Sequence, residues 1–243
     1  MPRSRERAIE AFIIKRQDFG ETDQIITLFS KEEGKLRALV KAAKLPTSKL
    51  QPLLQPLFET RVSLSGHKDQ AGLAKVIGVE LIASYGKILE DQAKMAAWYV
   101  VAEILIRALP DNEPNEPLFF EFERFVTFLD ASELTAEQVK QSVVQFQIKA
   151  MATLGLGIQS TSKTDQSLWF SLDRGGFVME DSVDAIPIRP EIFQSFTILS
   201  QESYKAGVDL HPDIATALGN LINRFVTHQL EREIKSQRLL TNV

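Results

Sequence analysis

The sequence predicts an α+β protein, in which a small antiparallel β-barrel precedes a helical bundle that carries an irregular insertion. Five short segments rich in strand-forming residues lie within the first 82 residues, and no helical periodicity separates the early ones. After about Tyr85, apolar residues recur at every third or fourth position. We therefore expect a barrel domain over residues 1–82 and a helical domain over residues 83–243, with the insertion at 156–187.

The predicted strands are connected by short turn sequences. Gly20 and Thr22-Asp23 indicate a turn between the first two, and a polar tetrapeptide at 31–34 makes the second and third strands a hairpin. Gly78 is a candidate β-bulge in the last strand. Five strands without intervening early helices favour a small closed barrel. The predicted strands are Ala8–Arg16, Gln24–Ser30, Lys35–Ala42, Phe58–Ser65 and Leu73–Leu81.

The second part of the chain contains five amphipathic stretches. The sequence Thr135-Ala-Glu-Gln138 is a capping box, which fixes the beginning of the third helix. Gly155 and Gly157 indicate its end. The predicted helices are Asp91–Leu109, Leu118–Leu129, a third from Thr135 to about Leu154, Pro190–Tyr204 and Pro212–Leu239.

Basic residues concentrate in the third predicted strand and the loop after it. Residues 34–49 carry five cations and no acidic residue: Lys35, Arg37, Lys41, Lys44 and Lys49. Residues 1–82 hold 14 basic and 10 acidic residues, whereas the rest of the chain holds 14 basic and 22 acidic ones, within a formal net charge of −4. A strand with an apolar back and a cationic front favours binding of a polyanion. The alternative is an ordinary solvated strand face.

The sequence contains no recognisable catalytic or metal-binding motif. Absence of cysteine excludes disulfides and thiolate metal sites, and the three histidines form no i, i+4 pair. Asp18, Glu21 and Asp23 are interpreted as turn residues rather than as a metal site. We therefore expect no enzyme activity, no cofactor and no metal. The N-terminus has no apolar signal region and no run of about 18 apolar residues occurs, so we expect no membrane segment and a cytoplasmic location.

One segment resembles a known family. The sequence GETDQIITLFSKEEGKLRALVKAAK, from Gly20 to Lys44, is similar to the N-terminal signature of the bacterial recombination mediator RecO family. That signature is a Gly-Glu-x-Asp turn, an apolar strand and a Gly-Lys-Leu-Arg strand that ends in a basic residue. The flanking segments Ala8–Arg16 and Leu50–Phe58 also fit. The resemblance covers nearly the whole chain, and it is specific in residues 8–60 and weak in the helices.

The resemblance implies an N-terminal OB-fold, a helical domain and a non-enzymatic function in DNA repair. RecO-like proteins bind single- and double-stranded DNA and anneal complementary strands. In the RecFOR pathway they act with RecR to load RecA onto DNA coated by single-strand-binding protein. The resemblance therefore also implies association with the nucleoid during repair. Two alternatives stay open from the residues alone: an OB-fold protein that binds RNA, and an interaction scaffold without annealing activity.

The resemblance assigns candidate binding residues. Lys35, Arg37 and Lys41 match the basic strand of the family, and Lys44 and Lys49 lie in the next loop. Neighbouring strands add two weaker DNA-binding candidates, Arg16 and Arg61. Phe19 is the candidate for base stacking, whereas Phe12, Phe29 and Phe58 are expected in the core. The family also implies a site for the acidic tail of single-strand-binding protein, for which the candidates are Arg124, Lys140 and Lys149.

The insertion departs from the family pattern. Many RecO-like proteins carry a four-cysteine zinc module here, but Met179 and Ser182 stand where cysteines are usual in its second half. Ser160 and Lys163 stand roughly where the first pair would be. None of these residues is a good zinc ligand. We therefore expect a metal-free remnant that is stabilised by packing of Trp169, Phe170 and Phe177.

Overall fold

The computed structural model describes residues 6–65, 73–160, 168–179, 185–205 and 210–243. The chain divides into two compact units. The first combines Met1–Gly86 with Ile104–Phe120, and the second combines Lys87–Glu103 with Glu121–Val243. The segment Ile104–Phe120 thus belongs with the barrel, although the sequence placed it in the helical part. The division at residue 82 remains a prediction.

The first unit is built on a closed five-stranded barrel, as predicted. Its strands follow the order β1-β2-β3-β5-β4 around the barrel, which is the OB-fold arrangement. Alternate residues of each strand fill the interior, among them Ile13, Leu28 and Leu36. A single 3₁₀ turn, Gln51–Leu53, lies between β3 and β4. The strands are β1 (Arg7–Phe19), β2 (Asp23–Ser30), β3 (Gly34–Val40), β4 (Glu59–Ser65) and β5 (Ala74–Ala83).

Register shifts interrupt the barrel pairing in β5 and in β1. In β5, Gly78 lies opposite Ser63 and Val76 lies opposite Leu64, so Ile77 is the extra residue, next to the predicted bulge position. In β1, the register shifts between Ile13 and Lys15. Because a bulge changes which side chains face outward, the second shift determines the position of Lys15.

The segment Ile104–Phe120, called here the covering segment, packs on the outer face of the barrel at one end. Phe119 lies with its ring centroid 5.8 Å from that of Phe12 and 5.5 Å from that of Phe29. Phe12 and Phe29 are fully buried, as expected for core residues, whereas Phe58 is only half-buried. The apolar outer face of β1 and β2 at this end is therefore buried under the covering segment and not exposed to solvent.

The second unit is mainly helical. The capping box predicted at Thr135 is present, since its hydroxyl accepts from the Gln138 amide while the Gln138 side chain accepts from the Thr135 amide. Trp98, Phe122 and Phe146 are buried among these helices. The helices are α1 (Gly86–Glu90), α2 (Gln92–Ala108), α3 (Glu116–Ala131), α4 (Ala136–Thr153), α5 (Pro190–Gln201), α6 (Pro212–Leu230) and α7 (Gln237–Thr241).

The prediction of one continuous helix from Pro212 to Leu239 is wrong. Glu231 adopts a left-handed conformation with φ of 50°, and its amide bonds back to the carbonyls of Thr227 and His228. This cap ends α6 because the chain cannot continue a right-handed helix through such a residue. Apolar residues continue to be buried past the break, among them Ile234 and Leu240. The fourth predicted helix also ends early, at Gln201 instead of Tyr204.

The insertion contains a three-stranded sheet in the order β7-β6-β8, formed by β6 (Leu168–Ser171), β7 (Gly176–Val178) and β8 (Ile186–Ile188). Phe170 and Phe177 contact each other and reach Phe193 and Phe225 of α5 and α6. Trp169 is half-buried, because neighbouring residues of a strand face opposite sides. Lys163 and Ser182 lie outside the described residues, whereas Ser160 is exposed and Met179 half-buried.

In the described ranges, no cluster of histidine and acidic side chains has the arrangement of a metal site. None of the helices there is long and apolar enough to span a bilayer.

Candidate nucleic-acid interface

The alternation predicted for β3 is present. Leu36, Ala38 and Val40 point into the barrel, while Lys35 and Arg37 point outward. The strand ends at Val40, since Ala42 has a φ of 53° and leaves the strand conformation. Lys41 therefore lies in the loop after β3 and not in the strand itself.

Lys35 is held inside the first unit by the covering segment. Its ammonium donates to the carbonyl of Ile106 over 2.8 Å and lies 3.2 Å from Oδ1 of Asp111. Its backbone carbonyl accepts from the Asn112 amide over 2.7 Å. Only 12% of the side chain is exposed. The structure thus gives Lys35 internal partners, and its predicted contact with DNA stays untested.

Arg37 and Lys41 are exposed, in contrast to Lys35. The exposed fraction of their side chains is 53% and 56%. The loop after β3 is fastened to the β1–β2 turn, because the Ala42 amide donates to Asp23 Oδ1 over 2.8 Å and the Lys44 amide donates to Thr22 O over 2.9 Å. Phe19, the last residue of β1, directly precedes that turn and is 51% exposed. These contacts join the loop that carries Lys41 and Lys44 to the turn that follows Phe19.

Lys15 is a further outward-facing cation of the barrel, and the sequence analysis did not predict it. Strict alternation from Ile13, which points into the barrel, would also turn Lys15 inward. The bulge at Ile14 instead places Lys15 opposite Thr27, and Thr27 lies opposite Arg37 on β3. Lys15 and Arg37 therefore belong to one cross-strand row, and Lys15 is exposed without an ion pair to any described residue. We call Lys15, Phe19, Arg37, Lys41 and Lys44 the open edge of the barrel.

Three cations of the open edge have acidic neighbours. Lys41 lies 2.9 Å from Asp23 Oδ2, Lys44 lies 2.9 Å from Asp18 Oδ2, and Arg37 lies 3.9 Å from Asp111. Hydrogen bonds from the Lys44 ammonium and the Gln24 amide lower the pKa of Asp18. The Ala42 amide, followed by Lys41, lowers the pKa of Asp23. Both carboxylates are therefore charged at neutral pH.

The other predicted DNA-binding residues do not join the open edge. Lys49 is exposed and makes no ion pair within the described part of the chain, but it lies farther along the loop. Arg16 is half-buried, and its guanidinium donates to the Leu54 carbonyl over 3.4 Å. Arg61 lies on β4, where Glu10 and Glu80 on the neighbouring strands flank it. These acids reduce the attraction of that face for a polyanion.

The three candidates for the tail site do not come together either. Arg124 and Lys149 both approach the buried Glu121, at 2.7 Å and 3.9 Å. Glu121 also accepts from the Tyr204 hydroxyl over 2.7 Å, and burial, together with this carboxylate, raises the pKa of Tyr204 well above its usual value. Lys140 precedes Lys149 by nine positions on α4, about two and a half turns, so it faces the opposite side.

Lys140 lines a groove in the second unit. The groove has a volume of about 290 Å³, and Val144, Gly219 and Leu240 form part of its wall. It shares Asn223, Gln237 and Thr241 with a second cavity of about 520 Å³. The walls of that cavity include Arg224, His228, Ile234 and Arg238. The two cavities combine an apolar wall with several cations.

Comparison with known proteins gives matches along most of the chain. A family profile described as "Recombination protein O N terminal" matches residues 5–85, and one described as "Recombination protein O C terminal" matches residues 89–238. The DNA repair protein RecO of Myxococcus xanthus is 26% identical over 245 residues, which cover 96% of each protein. That of Bacillus subtilis is 27% identical over 248 residues, covering 95% of this chain and 92% of the relative. That of Pelotomaculum thermopropionicum is 30% identical over 147 residues, covering 60% of this chain and 54% of the relative.

Proposed function

This chain belongs to the RecO family of DNA repair proteins, and on that premise we propose that it is a non-enzymatic recombination mediator. It binds single- and double-stranded DNA, anneals complementary strands and, with RecR, helps to load RecA onto DNA coated by single-strand-binding protein. In this role it acts in the cytoplasm, at the nucleoid during repair. It uses no catalytic residue and no cofactor.

The observation that carries the proposal is the open edge. OB-folds bind oligonucleotides on the face of strands 2 and 3 and with the loop between strands 1 and 2. Here Arg37 lies on β3, Lys15 lies in the same cross-strand row, and Phe19 lies at the β1–β2 turn. Cations that follow a backbone and an exposed ring that stacks on a base are the two elements of single-strand binding.

The open edge also fits annealing. Contacts from Lys15, Arg37 and Lys41 to phosphates neutralise charge without reading sequence. Two strands bound near such a surface repel each other less, and the edges of their bases stay available for pairing. Phe19 is the one exposed ring of the open edge, so stacking orders few bases at a time.

The acidic tail of single-strand-binding protein requires an apolar floor and nearby cations. Among the predicted cations, Arg124 and Lys149 approach the buried Glu121, whereas Lys140 lines a groove. We therefore place the tail along the grooves bounded by Lys140, Arg224 and Arg238. A carboxylate-rich peptide is attracted to those cations, and an apolar end residue packs against Val144 or Ile234.

The test combines binding and annealing of bare oligonucleotides. We would compare the wild type with the triple variant Lys15→Ala, Arg37→Ala, Lys41→Ala. The matched control removes three cations elsewhere with Arg61→Ala, Lys87→Ala and Lys205→Ala, whose side chains are similarly exposed. Binding is followed by fluorescence anisotropy over a range of salt, and annealing by quenching between labelled complementary strands.

The wild type should anneal the strands, and log K for single-stranded DNA should fall against log salt with a slope near −3 if about four phosphates are contacted. Loss of three contacts should weaken binding about 10- to 100-fold at about 0.1 M salt, alike for all sequences. The control should bind as the wild type does. A salt-independent wild type, or a control as weak as the triple variant, contradicts the proposal. Binding to RNA alone would support the RNA-binding alternative, and absence of any nucleic-acid binding would support the scaffold.

A further inference from the structure

Two cations of the open edge are already occupied by acids of the same unit. Lys44 Nζ lies 2.9 Å from Asp18 Oδ2, and Lys41 Nζ lies 2.9 Å from Asp23 Oδ2. Asp18 lies at the end of β1 and Asp23 is the first residue of β2, so the two acids flank the loop between these strands. In OB-folds this loop is one of the ligand-binding loops, so acids here lie where an incoming phosphate would lie.

Asp23 has a backbone partner, whereas Asp18 has only side-chain partners, one of which is the buried Gln24. The side chain of Asp23 is only 17% exposed, and its Oδ1 accepts the Ala42 amide, which fixes the loop after β3. The side chain of Asp18 is 61% exposed and contacts the side chains of Lys44 and Gln24. Exposed ion pairs of this kind contribute little to stability. The pairing of Asp18 with Lys44 therefore matters less for the stability of the fold than for a phosphate that would bind Lys44.

We propose that Asp18 is a built-in competitor of DNA, whose carboxylate occupies the Lys44 ammonium and is displaced when a phosphate binds. Asp23 acts in the same way on Lys41, with the loop contact as a second role. This inference rests on the proposed function, because it describes regulation of the same site. It makes DNA binding weaker and more reversible, so that a strand bound at the open edge is released once it has paired.

The competition has a thermodynamic signature. A cation that binds a phosphate releases counterions from the DNA, which makes affinity depend on salt. When the same cation leaves a carboxylate, that carboxylate attracts cations from solution, and the net release falls. Lys44 should therefore contribute less to the salt dependence while Asp18 is charged. Removing the charge of Asp18 should restore the full contribution.

The experiment uses the full chain with Asp18→Asn and a single-stranded oligonucleotide as the probe. The variant should bind about three- to tenfold more tightly at about 0.1 M salt, and its slope should steepen by up to about 0.7. The matched control is Glu10→Gln, which removes an acid of similar exposure that pairs with Arg61 on β4. The control should leave affinity and slope near those of the wild type. An equal gain in both variants would show general repulsion instead of competition.

A double-mutant cycle with Lys44→Ala isolates the pair. Lys44→Ala should weaken binding at most about twofold in the wild type and about fivefold in the Asp18→Asn background, where Lys44 is available to phosphate. Equal losses in the two backgrounds overturn the inference. If Asp18→Asn changes neither affinity nor slope while wild-type binding is salt-dependent, the inference fails and the proposed function stands. If the wild type binds no DNA, both fail.

Discussion

The two outward cations of β3 lie two residues apart and have different surroundings. Lys35 is 12% exposed, and its ammonium donates to Ile106 O in the last turn of α2. Arg37 is 53% exposed, with Asp111 as its nearest acid at 3.9 Å. Both belong to the same face of the same strand. The covering segment makes the difference, because it contacts one end of the strand more closely than the other.

The comparison shows that one charge pattern can serve two purposes. The last carbonyls of a helix have no partner within the helix and carry partial negative charge, so a lysine there satisfies one of them and interacts favourably with the helix dipole. Lys35 does this for α2. Arg37 lacks such a partner and is available to a polyanion. Under the proposed function, the positive charge of β3 therefore divides into a structural part and a binding part.

The largest expected effect comes from a substitution at the end of β3 that the covering segment contacts. Gly34 has a φ of 67°, and a Cβ added there would lie 1.9 Å from the Glu113 carbonyl oxygen. Gly34→Ala should therefore lower the free energy of unfolding by about 3 kcal/mol and loosen the covering segment. Urea denaturation followed by circular dichroism measures the first effect, and amide exchange at Asn112 measures the second.

Gly20→Ala is the matched control for this prediction. Gly20 also has a positive φ, of 63°, but nothing lies within 4 Å of an added Cβ. Only the conformational strain remains, which is about 1 kcal/mol. Equal losses in the two variants would show that the covering segment does not press on Gly34, and the contrast between the two ends of β3 would lose its cause.

The next prediction separates the two purposes of the charge. Lys35→Met keeps the apolar stem and removes the hydrogen bond to Ile106, so stability should fall by about 2 kcal/mol. Lys41→Met removes an exposed ion pair, so stability should change by less than about 0.5 kcal/mol. DNA affinity should respond in the opposite order, with the larger loss in Lys41→Met. Denaturation and anisotropy on the same two proteins give both readouts, and parallel changes in both would contradict the division.

Most of the barrel could be predicted because its signals are local. Strand-forming residues in β2 and alternation in β3 and β4 are local signals, so the predicted strands agree with the observed ones to within two residues. The helix cap at Thr135 could be predicted equally well, since both of its hydrogen bonds join residues three apart. The break at Glu231 could not be predicted, because no glycine or proline marks it in the sequence.

The proposed binding surface was less predictable because it depends on contacts distant in sequence. Nothing in β3 distinguishes Lys35 from Arg37, since the difference lies in residues about 70 positions later. The exposure of Lys15 depends on a bulge that its sequence does not mark. One signal was available and missed: the spacing of Lys140 and Lys149 already places them on opposite faces of a helix.

The smallest expected effect tests whether binding is confined to the open edge. Arg61 has the same charge and nearly the same exposure as Arg37, 52% against 53%. It lies on β4, however, between Glu10 and Glu80, and β4 pairs with β1 and β5 and not with β3. Arg61→Ala should therefore change DNA affinity by less than about twofold, whereas Arg37→Ala should weaken it about fivefold at about 0.1 M salt. Salt titrations sharpen the test, since loss of a phosphate contact lowers the slope and loss of a distant charge does not. A flatter slope in Arg61→Ala would extend the interface around the barrel, and the exposure of a cation, more than its strand, would then decide which residues meet DNA.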